Sequence, residues 1–147
     1  MIRNHLQEQT SIQTVFTAVA QAEATGGGAL TSTAVQVDDS GDLFEAGLGV
    51  LAVGQETGSP ASWVASLKLQ DASAGGTDWA DLDPPVEYST STLPGASGLL
   101  VQLPFSPAAM RPKRRWVLDI DFTGGSSPKV PISMIEILSG APKEPVA

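Results

Sequence analysis

The chain has 147 residues, with 16 acidic against 8 basic side chains, a net charge of −8 and no cysteine. Disulfides, thiolate chemistry and cysteine-based zinc sites are excluded, and so acidic a molecule repels phosphate backbones, which argues against nucleic acid as a partner. No stretch approaches the roughly 18 apolar residues of a membrane-spanning helix, and the N-terminus lacks the unbroken apolar run of a secretory signal, so the expectation is a soluble chain made in a cytoplasm, with no membrane partner.

The length fits one domain large enough to hold a core without cross-links. Charged residues are 16% of the chain, below the ordinary ~25%. Glycine, serine, threonine, alanine and proline fill the difference, as strands joined by many turns require.

Residues 1–11 are polar and without period, and read as an N-terminal arm carrying Arg3, His5 and Leu6. Ile12 to Ala24 fits helical spacing but is rich in β-branched and aromatic residues, and with β patterns downstream it reads as strand. Gly26 to Gly28 breaks it. Thr33 to Val37 alternates and runs into the acidic turn Asp38, Asp39 and Asp42. Phe44 to Val53 reads as a strand with Phe44, Ala46, Leu48 and Val50 on one face. Gly47 and Gly49 fall on the other, leaving room for a close neighbour or a bulge.

Trp63, Ala65, Leu67 and Leu69 alternate with Val64, Ser66, Lys68 and Gln70, the pattern of a half-buried strand. A glycine-rich turn over residues 72–77 leads to a short strand, Asp78 to Leu82, bearing Trp79 and ended by Pro84 and Pro85. Val86, Tyr88 and Thr90 alternate, and residues 93–98 read as a loop. Leu99, Val101, Leu103 and Phe105 form the next apolar face. Trp116, Leu118, Ile120 and Phe122 alternate with Val117, Asp119 and Asp121 in the clearest strand of the sequence. Val130, Ile132 and Met134 open the last strand, and Ile135 and Ile137 follow on the opposite parity, which suggests a bulge near Met134.

About eight or nine short strands at this spacing predict an all-β, antiparallel sandwich or jelly roll. The expected organisation is an arm over residues 1–11, a β-sandwich over 12–139 and a proline-rich tail over 140–147. Trp63, Leu67, Leu69, Leu99, Val101, Leu103, Trp116, Leu118, Ile120 and Phe122 share one phase and are the predicted core.

Residues capable of catalysis are few. His5 is the single histidine, and its place in a polar arm does not suit a Ser-His-Asp triad, which needs a histidine packed in a pocket. Asp119 and Asp121 share the face opposite the apolar residues of their strand. A spacing near 6.5–7 Å would suit an inverting glycosidase, but that face reads as a solvent or partner surface. Asp38, Asp39 and Asp42 crowd a turn without the alternating ligands and terminal glutamate of a helix-loop-helix calcium site, and read as an ordinary acidic turn. No catalytic residue, metal or cofactor is expected. Trp79, between Asp78 and Asp81, is the expected exposed aromatic. Arg111, Lys113, Arg114 and Arg115 gather four of the eight basic residues into one short stretch. In so acidic a chain they read as a docking handle for an acidic partner.

Two stretches carry a family resemblance. Val64 to Leu82 contains Lys68-Leu69-Gln70-Asp71 followed by a small-residue turn and Trp79. Lys113 to Pro128 contains Arg114-Arg115-Trp116-Val117, then a small-residue turn before the last strand. Together, over roughly residues 44–140, they resemble small structural proteins encoded in the head gene clusters of tailed bacteriophages and prophages. Asp119 departs from that pattern, where a basic or neutral residue is commoner. The resemblance implies a non-enzymatic β-sandwich of the virion, most often a decoration or cement protein on the capsid. Its expected partners are the major capsid protein and further copies of itself, as a trimer. Other readings are a head–tail connector or tail subunit, and a carbohydrate-binding module using Trp79.

Overall fold

Alternation along the chain places one side chain in two on the inner face of each strand, and two such faces close on each other. The computed structural model describes residues 11–21, 28–31, 35–36, 45–95 and 98–139. Strands β1 (Ser11–Gln21), β2 (Gly28–Thr31), β3 (Val35–Gln36), β4 (Ala46–Val53) and β5 (Ser62–Ala72) are followed by three short pieces, β6 (Ala80–Asp81), β7 (Glu87–Ser89) and β8 (Leu93–Pro94). Then come β9 (Leu99–Phe105), a single 3₁₀ turn at Pro107–Ala109, β10 (Lys113–Thr123) and β11 (Lys129–Ser139).

One sheet has the order β1-β11-β4-β9. In the other, β10 lies between β5 and the pair β2 and β3, while β6, β7 and β8 line the far side of β5. Every pairing is antiparallel. Pro84, Pro85 and Pro94 lack the N–H of a continuous ladder, so this edge is built from short segments.

The core lies between the sheets. Leu51, Val53, Val101, Phe105, Val130, Ile132, Met134 and Leu138 come from the first sheet. Trp63, Ala65, Leu67, Leu69, Trp116, Leu118 and Ile120 come from the second. Trp63 and Trp116 are both 0% exposed. Leu99, Leu103 and Phe122, expected inside, pack half-buried at the rim of this cluster.

The fold is therefore the all-β antiparallel sandwich that the alternation predicts, with two phase corrections. On β4 the buried side chains are Leu51 and Val53, in phase with Gly47 and Gly49, while Leu48 and Val50 face outward and Ala46 is exposed. Volume decides this. A Cβ on Gly47 would come within 2.4 Å of the Phe105 ring, and one on Gly49 within 2.5 Å of the Trp116 ring. The glycines thus lie under the two aromatic rings, which pack edge-to-face at 5.6 Å. On β11 the inward phase runs unbroken through Val130, Ile132, Met134, Glu136 and Leu138. The bulge is on the partner strand β1, between Thr14 and Phe16, opposite Ile135 and Met134.

The short strand expected from Asp78 is reduced to Ala80–Asp81, and Trp79 precedes it. Arg3, His5 and Leu6 of the arm, Asp38, Asp39, Asp42, Phe44 and the proline-rich tail lie outside the described residues.

Candidate interaction surface

The basic stretch at the start of β10 was the strongest docking signal in the sequence, and the structure divides it. Successive strand residues point to opposite faces, so Arg114 shares the inward side with Trp116 while Lys113 and Arg115 point outward. Arg114 is 3% exposed. Its Nε donates to both carboxylate oxygens of Glu136, at 3.0 and 3.2 Å, and its Nη2 donates to Oε2 at 2.8 Å. Trp116 Nε1 donates to Oε1 of the same carboxylate at 2.7 Å, and the Arg114 guanidinium stands 5.6 Å from the centre of the Phe105 ring. Glu136 belongs to the first sheet and is 0% exposed. A two-pronged ion pair thus ties the two sheets through the core, with the indole N–H of Trp116 adding a further hydrogen bond to its carboxylate. The expectation that Arg114 presents charge to a partner is corrected by this geometry.

Arg111 is a staple. Its backbone N–H and Nε donate to the two carboxylate oxygens of Asp71, at 3.0 and 2.8 Å, and Nη1 donates to Asp78 Oδ2 at 2.8 Å. Nη2 donates to the backbone carbonyls of Asp71 and Asp78. These contacts close the end of β5 onto the turn that follows. Asp78 also accepts from the hydroxyl and backbone N–H of Ser73, at 2.7 and 2.9 Å. Those two bonds, with Arg111 adding its charge, hold the Asp78 carboxyl below the ordinary carboxylate range. The hydrogen bond to Asp71 raises Arg111 above its already high value.

Arg115 heads a polar chain across the outer face of the second sheet. Its Nε donates to Gln70 Oε1 at 2.9 Å, Gln70 Nε2 donates to Asp81 Oδ1 at 2.7 Å, and Lys68 closes the chain with an ion pair to Asp81 at 3.1 Å. Hydrogen bonds from Gln70 and then Lys68 lower the Asp81 carboxyl. The Arg115 guanidinium lies 4.4 Å from the Trp79 ring centre, a cation–π distance. Trp79 is half-buried, and one side of its ring is occupied. The aliphatic stem of Lys113 lies beside Gly76.

Asp119 and Asp121 both lie on the outward side of β10, as their spacing predicts, with Asp121 exposed and Asp119 half-buried. Asp119 lines a shallow groove of about 410 Å³ with Ser66, Lys68, Glu87 and Ser89. Among the described residues no cluster of acidic or histidine side chains is arranged to hold a metal ion, and no helix is long and apolar enough to cross a membrane.

Sequence reasoning missed Glu136, Asp71 and Asp78, the acids that answer the basic stretch. Glu136 was within reach. Counting in twos from Val130 through Ile132 and Met134 puts it on the inner face, where a carboxylate demands a basic partner, and the same count from Trp116 places Arg114 opposite.

No family model matches the chain, and no curated protein matches it. Solved structures do. A chain in the structure of infectious bursal disease virus, Gx strain, aligns with a TM-score of 0.52 at 14% identity, over 94% of this chain and 33% of that one. A chain from the Gt strain of the same virus gives 0.45 at 13% identity, over 92% and 38%. One from Desmodium yellow mottle tymovirus gives 0.35 at 8%, over 95% and 92%. This chain spans about a third of the length of the Gx-strain chain it matches. At that identity the likeness speaks to architecture alone: the antiparallel β-sandwich is one that also occurs within a chain of a virus structure.

Proposed function

We propose that the chain is a non-enzymatic structural component of a virus particle, a β-sandwich block that works by binding other proteins of the shell. The observation that carries this is the alignment of 94% of its length with part of one chain in the infectious bursal disease virus structure. The basic stretch supports it differently from first expectation. Arg111, Arg114 and Arg115 are committed to internal partners, so they make a rigid sheet end. In this reading the docking role passes to the N-terminal arm, with Arg3, His5 and Leu6, and to Lys113. The finer form of the proposal is a decoration or cement protein seated on the major capsid protein, self-associating in threes on the outer shell. The family resemblance of residues 44–140 favours that form over a connector or tail subunit. The contact between Arg115 and Trp79 counts against a sugar-stacking platform on that ring.

The test is the distribution of the chain among purified particles of its source. Mass spectrometry of a density-gradient particle fraction should find it at many copies per particle, and electron microscopy with a labelled chain should place it on the shell. Confinement to the soluble fraction, free of particles, overturns the proposal. Labelling restricted to the neck or tail overturns the decoration form.

A further inference from the structure

Among the described strands, the charged side chains are segregated between the two sheets. Strands β1, β4 and β9 contain no ionisable side chain, and β11 contains two, Lys129 and Glu136. Glu136 points inward and is fully buried against Arg114, and Lys129 sits at the first position of its strand. Among the described residues, the outward side of β4, β9 and β11 therefore holds no negative charge and, beyond Lys129, no charge at all. The second sheet carries Lys113, Arg115, Asp119 and Asp121 outward on β10 and Lys68 on β5. The register brings Ile135 beside Val50, Ile137 beside Leu48, and Ala52 beside Leu100. The result is an apolar surface bordered by Leu100, which at 65% exposure is the most exposed of the large apolar side chains described.

We propose that this face is covered by a second copy of the same chain. The argument is electrostatic first. With a net charge of −8, two copies repel wherever acidic surfaces approach, so self-association selects the face that holds no acid. A basic partner would find no carboxylate there to pair with. Size agrees. Strands of 8 to 11 residues in β4, β11 and β1 are about 26–36 Å long and lie about 4.8 Å apart. A four-stranded face thus offers roughly 500–600 Å², close to the ~600 Å² per partner at the low end of stable interfaces. This inference stands on charge and area and does not depend on the virion reading.

The experiment is sedimentation and native mass spectrometry of the full chain, up to about 100 µM to reach weak affinities. Ala52→Lys and Leu100→Lys variants are run alongside, both at exposed positions of one cross-strand row, with Val64→Lys on the other sheet as control. The parent and the control should form particles of at least twice the chain mass. Each face variant should dissociate at least about ten-fold more readily, because association would bury an unpaired charge, while keeping the parent's circular dichroism and, in samples too dilute for either to associate, its melting temperature. A parent that stays a single chain over the whole range overturns the proposal, as does a folded Leu100→Lys or Ala52→Lys variant that associates as the parent does.

Discussion

The carboxylate of Glu136 on one sheet meets the guanidinium of Arg114 on the other in a two-pronged pair whose shortest contact is 2.8 Å, and its Oε1 also accepts the indole N–H of Trp116 at 2.7 Å. Removing Glu136 leaves the Arg114 guanidinium, which cannot shed its charge, buried without its carboxylate. Glu136→Ala should cost about 3–5 kcal/mol, and replacing both, as Arg114→Met with Glu136→Leu, should return most of it. A residual deficit of about 1 kcal/mol is expected because the hydrogen bond from Trp116 Nε1 to Glu136 Oε1 is lost. Urea unfolding of the three proteins checks this, and a single variant as stable as the parent would remove the pair from the core. The same geometry makes Arg114→Glu a folding defect, since it sets two carboxylates against each other in the core.

Gly47 and Gly49 hold the space for the Phe105 and Trp116 rings. Gly49→Ala would put a methyl group 2.5 Å from Trp116 Cζ2 and should destabilise by about 1–3 kcal/mol through overpacking. Gly75→Ala, whose new methyl would meet nothing nearer than Ser73 Oγ at 3.9 Å, serves as the control and should melt with the parent. Equal melting of all three would show that the rings are not held against β4.

Leu118 is 0% exposed in the middle of β10, and Leu118→Ala should cost about 2–5 kcal/mol. Val64→Ala on the outward side of the paired strand should stay within about 0.5 kcal/mol of the parent. Chemical denaturation of the pair tests the assignment of the two faces.

Asp78 and Asp81 both titrate below the ordinary carboxylate range in the folded state, held down by hydrogen bonds from Ser73 and from Gln70 respectively. The unfolded chain therefore binds more protons than the native one near about pH 4, and stability rises with pH there. Their contribution is complete above the ordinary carboxylate range and is lost as pH falls through the lowered folded values. The urea midpoint of the parent should fall between about pH 5 and pH 3, and fall less in an Asp78→Asn, Asp81→Asn double variant. Identical pH dependence in both proteins would remove these two groups from the acid response.

Strand phase was legible wherever side-chain volume and polarity agree. Trp63, Leu67 and Leu69 on β5, and Trp116, Leu118 and Ile120 on β10, alternate with polar or smaller neighbours, and both strands fall inward as their pattern says. Phase failed where the two quantities part. On β4 hydrophobicity favours Leu48 and Val50 for the core, yet the opposing aromatic rings need the empty space over Gly47 and Gly49. On β11 the apolar pair Ile135 and Ile137 outweighs one glutamate in a hydropathy pattern, and the inward place of Glu136 is legible only by holding the phase set by Val130, Ile132 and Met134. The basic stretch misled for a related reason. Neighbours in sequence point to opposite sides of a strand, so Lys113, Arg114 and Arg115 are not one patch, and the acidic partners of Arg111 and Arg114, namely Asp71, Asp78 and Glu136, lie on other elements.

The contact between Gly49 and Trp116 also links two positions in descent. A lineage that trades the indole for a smaller side chain opens a void, and the alanine that position 49 could not bear beside the indole then becomes the residue that refills it. Ring size at 105 and 116 and glycine at 47 and 49 should accordingly change together among descendants of this chain, while Leu48 and Val50, adjacent in sequence but facing outward, drift independently of them.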